Sequence, residues 1–149
     1  MTRLLFFLHD TFSGGNPSAI MIAHPNITQA SSFGFSRLFA FDDPLTIRTE
    51  LTSTLIGNTQ GIYVSFSRDL AVFTSIMYVD FAFMSGKFNG SYFSLFSRNP
   101  SSNIVRELTI VGRRGAFMMA RGFALTQLNF VNMTTGIVVL KFNVLLYHY

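Results

Sequence analysis

Three charged side chains stand inside otherwise apolar stretches of this chain, and any chemistry must begin with them. Asp10 follows Phe6-Phe7-Leu8-His9; Arg106 shares one face of an alternating run with Ile104 and Leu108; Arg121 interrupts Phe117, Met119, Phe123 and Leu125. A charge on a strand face that is otherwise apolar needs a partner or a task, because taking it out of water is costly. Two readings of Asp10 and Arg106 stand side by side. One is a structural ion pair near a barrel rim, Arg106 with Asp10 or Glu107; the other is a pair of working groups in a pocket. Arg121 reads as structural, and Asp42, two residues before Pro44, as turn chemistry.

Motifs for other chemistries are not found. No zinc-protease helix motif, phosphate-binding glycine loop or nucleophile elbow occurs. His9, His24 and His148 lack metal-ligand spacing, and there is no cysteine for a disulfide, a thiolate site or a thiol nucleophile. The expectation is a site with few polar groups that uses neither metal nor cofactor.

The elements that must position these residues read as strands. Turn signals recur at Ser13–Pro17, His24–Asn26, Asp42–Pro44, Ser67–Asp69, Gly86–Gly90, Arg98–Pro100, Gly112–Gly115 and Asn132–Gly136. Between them the sequence alternates. Ile62, Val64 and Phe66 oppose Tyr63, Ser65 and Ser67; Val138, Leu140, Phe142, Val144 and Leu146 oppose a face with Lys141 and Asn143. A strand is also expected from Phe117 to Leu125, with small residues Ala120, Gly122 and Ala124 on one face. Many segments are apolar on both faces, which implies burial on both sides. That pattern fits a barrel or a two-layer sandwich.

Composition narrows the function classes. The 149 residues suit one domain; 49% are hydrophobic and 12% charged, with 18 phenylalanines and no tryptophan. No apolar run reaches the roughly 18 residues of a membrane-spanning helix, and too few charges are present to fill the polar lumen of an outer-membrane barrel. The net charge of +4 comes from scattered residues, only Arg113 and Arg114 being adjacent; without a basic cluster, nucleic acid is not an expected partner. Sequons at Asn26, Asn89 and Asn132 fall in expected turns and suit a secreted glycoprotein. The run Leu4–Leu8 is too short for the core of a secretory signal and is expected to be the first strand, as in a mature form or one whose leader is lost.

Several blocks, in order along nearly the whole chain, resemble the plant dirigent family. They are Phe7–Asp10, Phe41–Thr46, Gln60–Tyr63, Ser85–Ser91, Arg98–Pro100, Val105–Glu107, Ala120–Gly122 and Tyr147–Tyr149. The resemblance implies an all-β, eight-stranded antiparallel up-and-down β-barrel, one domain over residues 1–149, that associates as a trimer or a dimer. It implies a secreted cell-wall protein of phenylpropanoid metabolism and plant defence. Such a protein steers the coupling of phenoxy radicals made by a separate laccase or peroxidase. Other family members close a ring or dehydrate a bound quinone methide, and some dirigent domains serve as wall-binding modules. Residue by residue, the resemblance makes Asp10 the pocket acid, Tyr63 a pocket tyrosine and Arg106 a pocket arginine. Asn99 stands where lignan-forming members carry a second aspartate, Ser65 replaces a second tyrosine, and Asn58 replaces a basic residue. Gly112-Arg113-Arg114-Gly115 replaces a loop of small residues.

Overall fold

The computed structural model describes residues 1–26, 35–68, 74–100 and 103–148. Strands dominate them: β1 (Thr2–Thr11), β2 (Ala19–Ala23), β3 (Leu38–Thr46), β4 (Leu55–Ser65), β5 (Thr74–Phe83), β6 (Tyr92–Pro100), β7 (Val105–Arg114), β8 (Arg121–Asn132) and β9 (Ile137–Tyr147). Short 3₁₀ turns occupy Gly86–Phe88 and Gly115–Phe117. All pairings are antiparallel, in the order β1-β9-β8-β7-β6-β5-β4-β3-β2, and a β1–β3 pairing closes the ring. β1 and β2 share one slot: β1 meets β3 at Leu45 and Thr46, and β2 meets it from Leu38 to Phe41. The loop between them interrupts what would otherwise be one strand. The wall therefore has eight positions, as the resemblance implied.

Alternation decides what fills the barrel. Phe142, Val144 and Leu146 of β9 point inward and are buried, while Asn143 is exposed. On β8 the small face points inward, with Ala124 and Thr126 buried. One end of the lumen is packed with rings. Phe6 stacks on Phe142 at 5.6 Å, Phe81 on Phe93 at 5.1 Å, and Phe117 meets Phe83 edge-on at 5.9 Å. Outside, Ile62, Ile76 and Phe96 lie exposed on neighbouring strands β4, β5 and β6. The reading of strands apolar on both faces is thus met, with one face in the lumen and the other on the outer wall.

Three turn expectations and one strand start move. Asp42-Asp43-Pro44 lies inside β3, with Pro44 beside the break between β1 and β2, where a missing N–H costs least. Arg98-Asn99-Pro100 is the end of β6. Gly112 to Arg114 continue β7, and the chain reverses instead through the 3₁₀ turn at Gly115–Phe117. The strand expected from Phe117 starts at Arg121, since Met119 takes the left-handed conformation with φ of 63°. Polar and glycine-rich triplets were read as turns; here they sit on strands whose neighbours satisfy them. Asp69 lies outside the described residues.

Candidate functional site

The end of the lumen opposite the ring cluster holds a cavity of about 220 Å³. Its walls are mostly apolar, including Leu8, Phe41, Met77, Leu95, Leu140 and Phe142; Asp10, Asp43, Tyr63, Ser75 and Asn99 are the polar exceptions. An apolar pocket with few convergent polar groups is the usual form of a small-molecule site.

The register brings two of these groups together. Phe7 pairs with Thr46 and Leu8 with Leu45; continued two residues further, the same register sets Asp10 opposite Asp43. Both carboxyls reach the lumen from adjacent strands. Burial pushes the Asp43 carboxyl up, to about 9, with the charge of Asp10 adding to the effect. Burial also raises Asp10, opposed by hydrogen bonds from Asp43 and Ser18. Two carboxyls this close in an apolar setting cannot both ionise easily. Asp43 keeps its proton at neutral pH and donates to Asp10. The Oδ1 of Asp43 is buried without a hydrogen-bond partner, so an acceptor stays available at the lumen wall.

Tyr63 completes this side. Its ring stacks on Phe39 at 4.7 Å and leans on Phe41 at 6.1 Å. Burial, then the charges of Asp10 and Asp43, push its hydroxyl up to about 12, so it remains a neutral donor. Across the lumen the amide of Asn99 donates to the sulfur of Met77 at 3.0 Å. Thr59, opposite Asp43 in the β3–β4 register, has a buried hydroxyl with no partner.

The structure brings Asp10, Tyr63 and Asn99 to one cavity. Arg106 is placed differently. It lies on the lumen face of β7, two residues from the cavity residue Leu108 and opposite Thr126, but it does not line the cavity. Its Nε is buried without a partner, and burial lowers its pKa. Among the described residues no ion pair joins it to Asp10 or Glu107, so the structural pairing is not found. Asp42 points outward and accepts from Asn58 at 3.2 Å and Gln60 at 2.8 Å, which is strand pairing and not turn chemistry. Asn26 and Asn89 are exposed, and Asn132 is partly buried, its Oδ1 accepting from the Thr134 and Thr135 amides.

Asp43 is the site residue that sequence reasoning missed. Its signal was present: Phe41, Asp43 and Leu45 alternate with Asp42 and Pro44, so strand periodicity puts Asp43 on the inward face with two apolar residues. The Asp-Asp-Pro triplet outweighed that signal.

The fold and site define a small antiparallel barrel with a ligand-sized, carboxyl-bearing lumen. The chain belongs to the dirigent family: the sequence model described as Dirigent-like protein matches residues 1–147. Dirigent protein 15 of Arabidopsis thaliana is 54% identical over 153 residues, covering 100% of this chain and 80% of that protein. Pterocarpan synthase 1 of Glycyrrhiza echinata is 40% identical over 149 residues, covering 99% of this chain and 78% of that one. The solved structure of the pterocarpan synthase dirigent protein GePTS1 superposes with a TM-score of 0.89 at 40% identity, covering 99% of this chain and 90% of that chain. A heme-binding cyclase of neoabyssomicin biosynthesis shares the fold alone, at a TM-score of 0.63 and 10% identity.

Proposed function

We propose that this protein binds one flat phenolic molecule in its lumen and carries it through a quinone methide by proton transfer. The observation that carries this reading is the Asp10–Asp43 pair, two adjacent carboxyls on the wall of an apolar cavity with Asp43 held as the acid. An acid and a base held side by side suit a phenol with a benzylic hydroxyl group and an internal nucleophilic hydroxyl. Asp43 gives its proton to the departing hydroxyl, the benzylic C–O bond breaks, and water leaves. Asp10 takes the phenolic proton, and the ring becomes a quinone methide. The internal hydroxyl oxygen then attacks the methide carbon; its proton goes to Asp43, and Asp10 returns its own to the ring oxygen. The sum is a cyclic ether plus water, with both carboxyls restored and no oxidant consumed. Tyr63 donates to the ring oxygen, and the aromatic walls exclude water.

Similarity to pterocarpan synthases supports the class of substrate and suggests the probe. With 7,2′-dihydroxyisoflavan-4-ol, whose 7-hydroxyl supplies the phenolic proton and whose 2′-hydroxyl is the nucleophile, and no oxidant, the protein is expected to release a ring-closed product. Asp10→Asn and Asp43→Asn should each lower kcat by roughly 10²- to 10⁴-fold. No ring closure by the wild type, or full activity in either variant, overturns the reading.

A second reading is stereochemical steering of phenoxy radicals supplied by a separate laccase or peroxidase. The stacked Phe39–Tyr63 wall supports it, because holding flat rings in one geometry needs no proton transfer. It predicts one enantiomer in excess from a monolignol plus laccase when the protein is added, and a racemate without it. Self-association through the apolar outer wall and delivery to the plant cell wall accompany both readings.

A further inference from the structure

His9 stands on the outer face of β1, since its neighbours Leu8 and Asp10 face the lumen, yet it is only 5% exposed. The β3–β4 loop, residues 47–54, accounts for this by folding back over the wall. Thr49 and Leu51 of that loop, with Pro44, Phe130, Ile137 and Val139, line a second cavity of about 240 Å³ outside the barrel, and the His9 ring is part of its wall. Hydrogen bonds fix which nitrogen of His9 carries the proton. The Thr46 hydroxyl has a single proton and gives it to the Arg48 carbonyl at 2.7 Å, an oxygen that can only accept. Toward His9 Nε2, at 2.7 Å, the Thr46 oxygen can then only accept, so the hydrogen sits on Nε2. Burial lowers the pKa of the ring and keeps it neutral. Nδ1 is therefore a bare lone pair, and among the described residues it has no hydrogen-bond partner. Protein does not enclose it either, which leaves it open to the cavity.

We propose that this outer cavity is a second small-molecule site, which takes a neutral aromatic molecule of one ring whose hydroxyl group donates to His9 Nδ1. The lone pair selects a donor and repels a carboxylate or a phosphate. The walls select against charge of either sign, because Pro44, Leu51, Phe130, Ile137 and Val139 offer an ion nothing in exchange for its water. An acceptor left unpaired in such a setting costs free energy that a donating ligand recovers. Size sets the number of rings. A cavity of about 150 Å³ holds a benzene molecule, so the volume here suits one substituted ring. Phe130 is 47% exposed and lines the cavity, so its ring is available to stack on a flat occupant. An apolar cavity with a single aimed polar atom has the usual form of a binding site. The thickness of the β1 wall separates it from the lumen, where Asp10 points the other way from the same strand.

This site stands independently of the reaction proposed for the lumen, and its test needs no lumen substrate. The ring nitrogens of isotope-labelled histidine are followed by nitrogen NMR in the full chain. Without ligand, His9 should show a protonated Nε2 and an unprotonated Nδ1. Added p-cresol should shift the Nδ1 resonance upfield along a saturating curve. p-Xylene has the same shape, with a methyl group in place of the hydroxyl, and should leave Nδ1 near its free position. Leu51 is 60% exposed on its loop, so Leu51→Ala removes part of the outer wall and leaves the barrel intact. It should weaken the p-cresol response at His9 by roughly three- to tenfold. A proton on Nδ1 in the free protein, or no response to p-cresol up to its solubility, overturns the proposal. So does an equal shift from p-xylene, or a p-cresol response unchanged in Leu51→Ala, the results expected if these molecules enter only the lumen.

Discussion

At the scale of single residues, the unusual feature is an acid kept neutral by its surroundings. Asp43 is 2% exposed, faces Asp10, and is pushed up to about 9. The thermodynamic consequence has a definite sign. An unfolded aspartate titrates near pH 3.9, so between about pH 4 and pH 9 the native state holds a proton that the unfolded state has lost. Stability then falls as pH rises through that window, by at most about 1.4 kcal/mol per pH unit for this group. Asp10, also raised, acts in the same direction. Asp43→Asn removes the titration while keeping shape and a donor. Its melting temperature should exceed that of the wild type at pH 8 and converge with it near pH 4. A wild-type stability that rises from pH 5 to pH 8, with the variant following in parallel, would place the Asp43 proton elsewhere. At this scale the sequence was half legible. Asp10 stood out because an acid in an apolar run is rare, whereas Asp43 was hidden by a neighbouring acid and a proline that together imitate a turn.

At the scale of elements, close approach of strands matters as much as side-chain pattern. A Cβ at Gly122 would sit 1.9 Å from the carbonyl oxygen of Leu145, and one at Gly57 would sit 2.0 Å from that of Ala82. These are backbone atoms and cannot turn aside. Gly122→Ala should therefore push β8 from β9 and cost roughly 2 kcal/mol or more, read as a lower urea midpoint. A midpoint within error of the wild type would show that the β8–β9 ladder yields without cost. The period-two pattern announced the strands themselves, and it was clearest in β9, where five alternating apolar residues met the lumen. Strand ends were less legible. Phe117 and Met119 continue the alternation in the sequence, but Gly115 at φ of 66° and Met119 at φ of 63° turn the backbone there. The buried Phe117 ring is then delivered into the base of the barrel by a turn, not by a strand. Hydrophobic spacing cannot distinguish the two, because both bury the same side chain.

At the scale of the whole molecule, the barrel is a core completed at only one end. Phenylalanine rings fill the base, and the opposite end keeps the cavity, on whose wall Asp43 Oδ1 meets no protein hydrogen-bond partner; Thr59, Thr126 and Arg106 lie on the lumen face outside that lining. Asp43 Oδ1, Thr59 Oγ1, Thr126 Oγ1 and Arg106 Nε are each buried without a hydrogen-bond partner. Leaving such a group unpaired costs roughly 1–3 kcal/mol, more if it is charged. Under the proposed function, the Asp43 oxygen and the apolar cavity walls are met by a ligand that brings a hydroxyl and a flat apolar body. Binding must then raise stability by mass action, by about 2.7 kcal/mol when the free ligand stands at one hundred times its Kd. The polar part of that gain can be separated from the apolar part. 2′-Hydroxyisoflavan has no leaving hydroxyl and does not turn over, so it is expected to raise the melting temperature in proportion to the logarithm of its concentration. Its 2′-methoxy analogue covers the same rings but cannot donate, so it should need a distinctly higher concentration for the same shift. In Asp43→Asn, which changes the acceptor it faces, the advantage of the phenol should shrink. Equal shifts from phenol and ether in the wild type would mean that ring burial alone selects the ligand and that the carboxyl pair meets it only during the reaction.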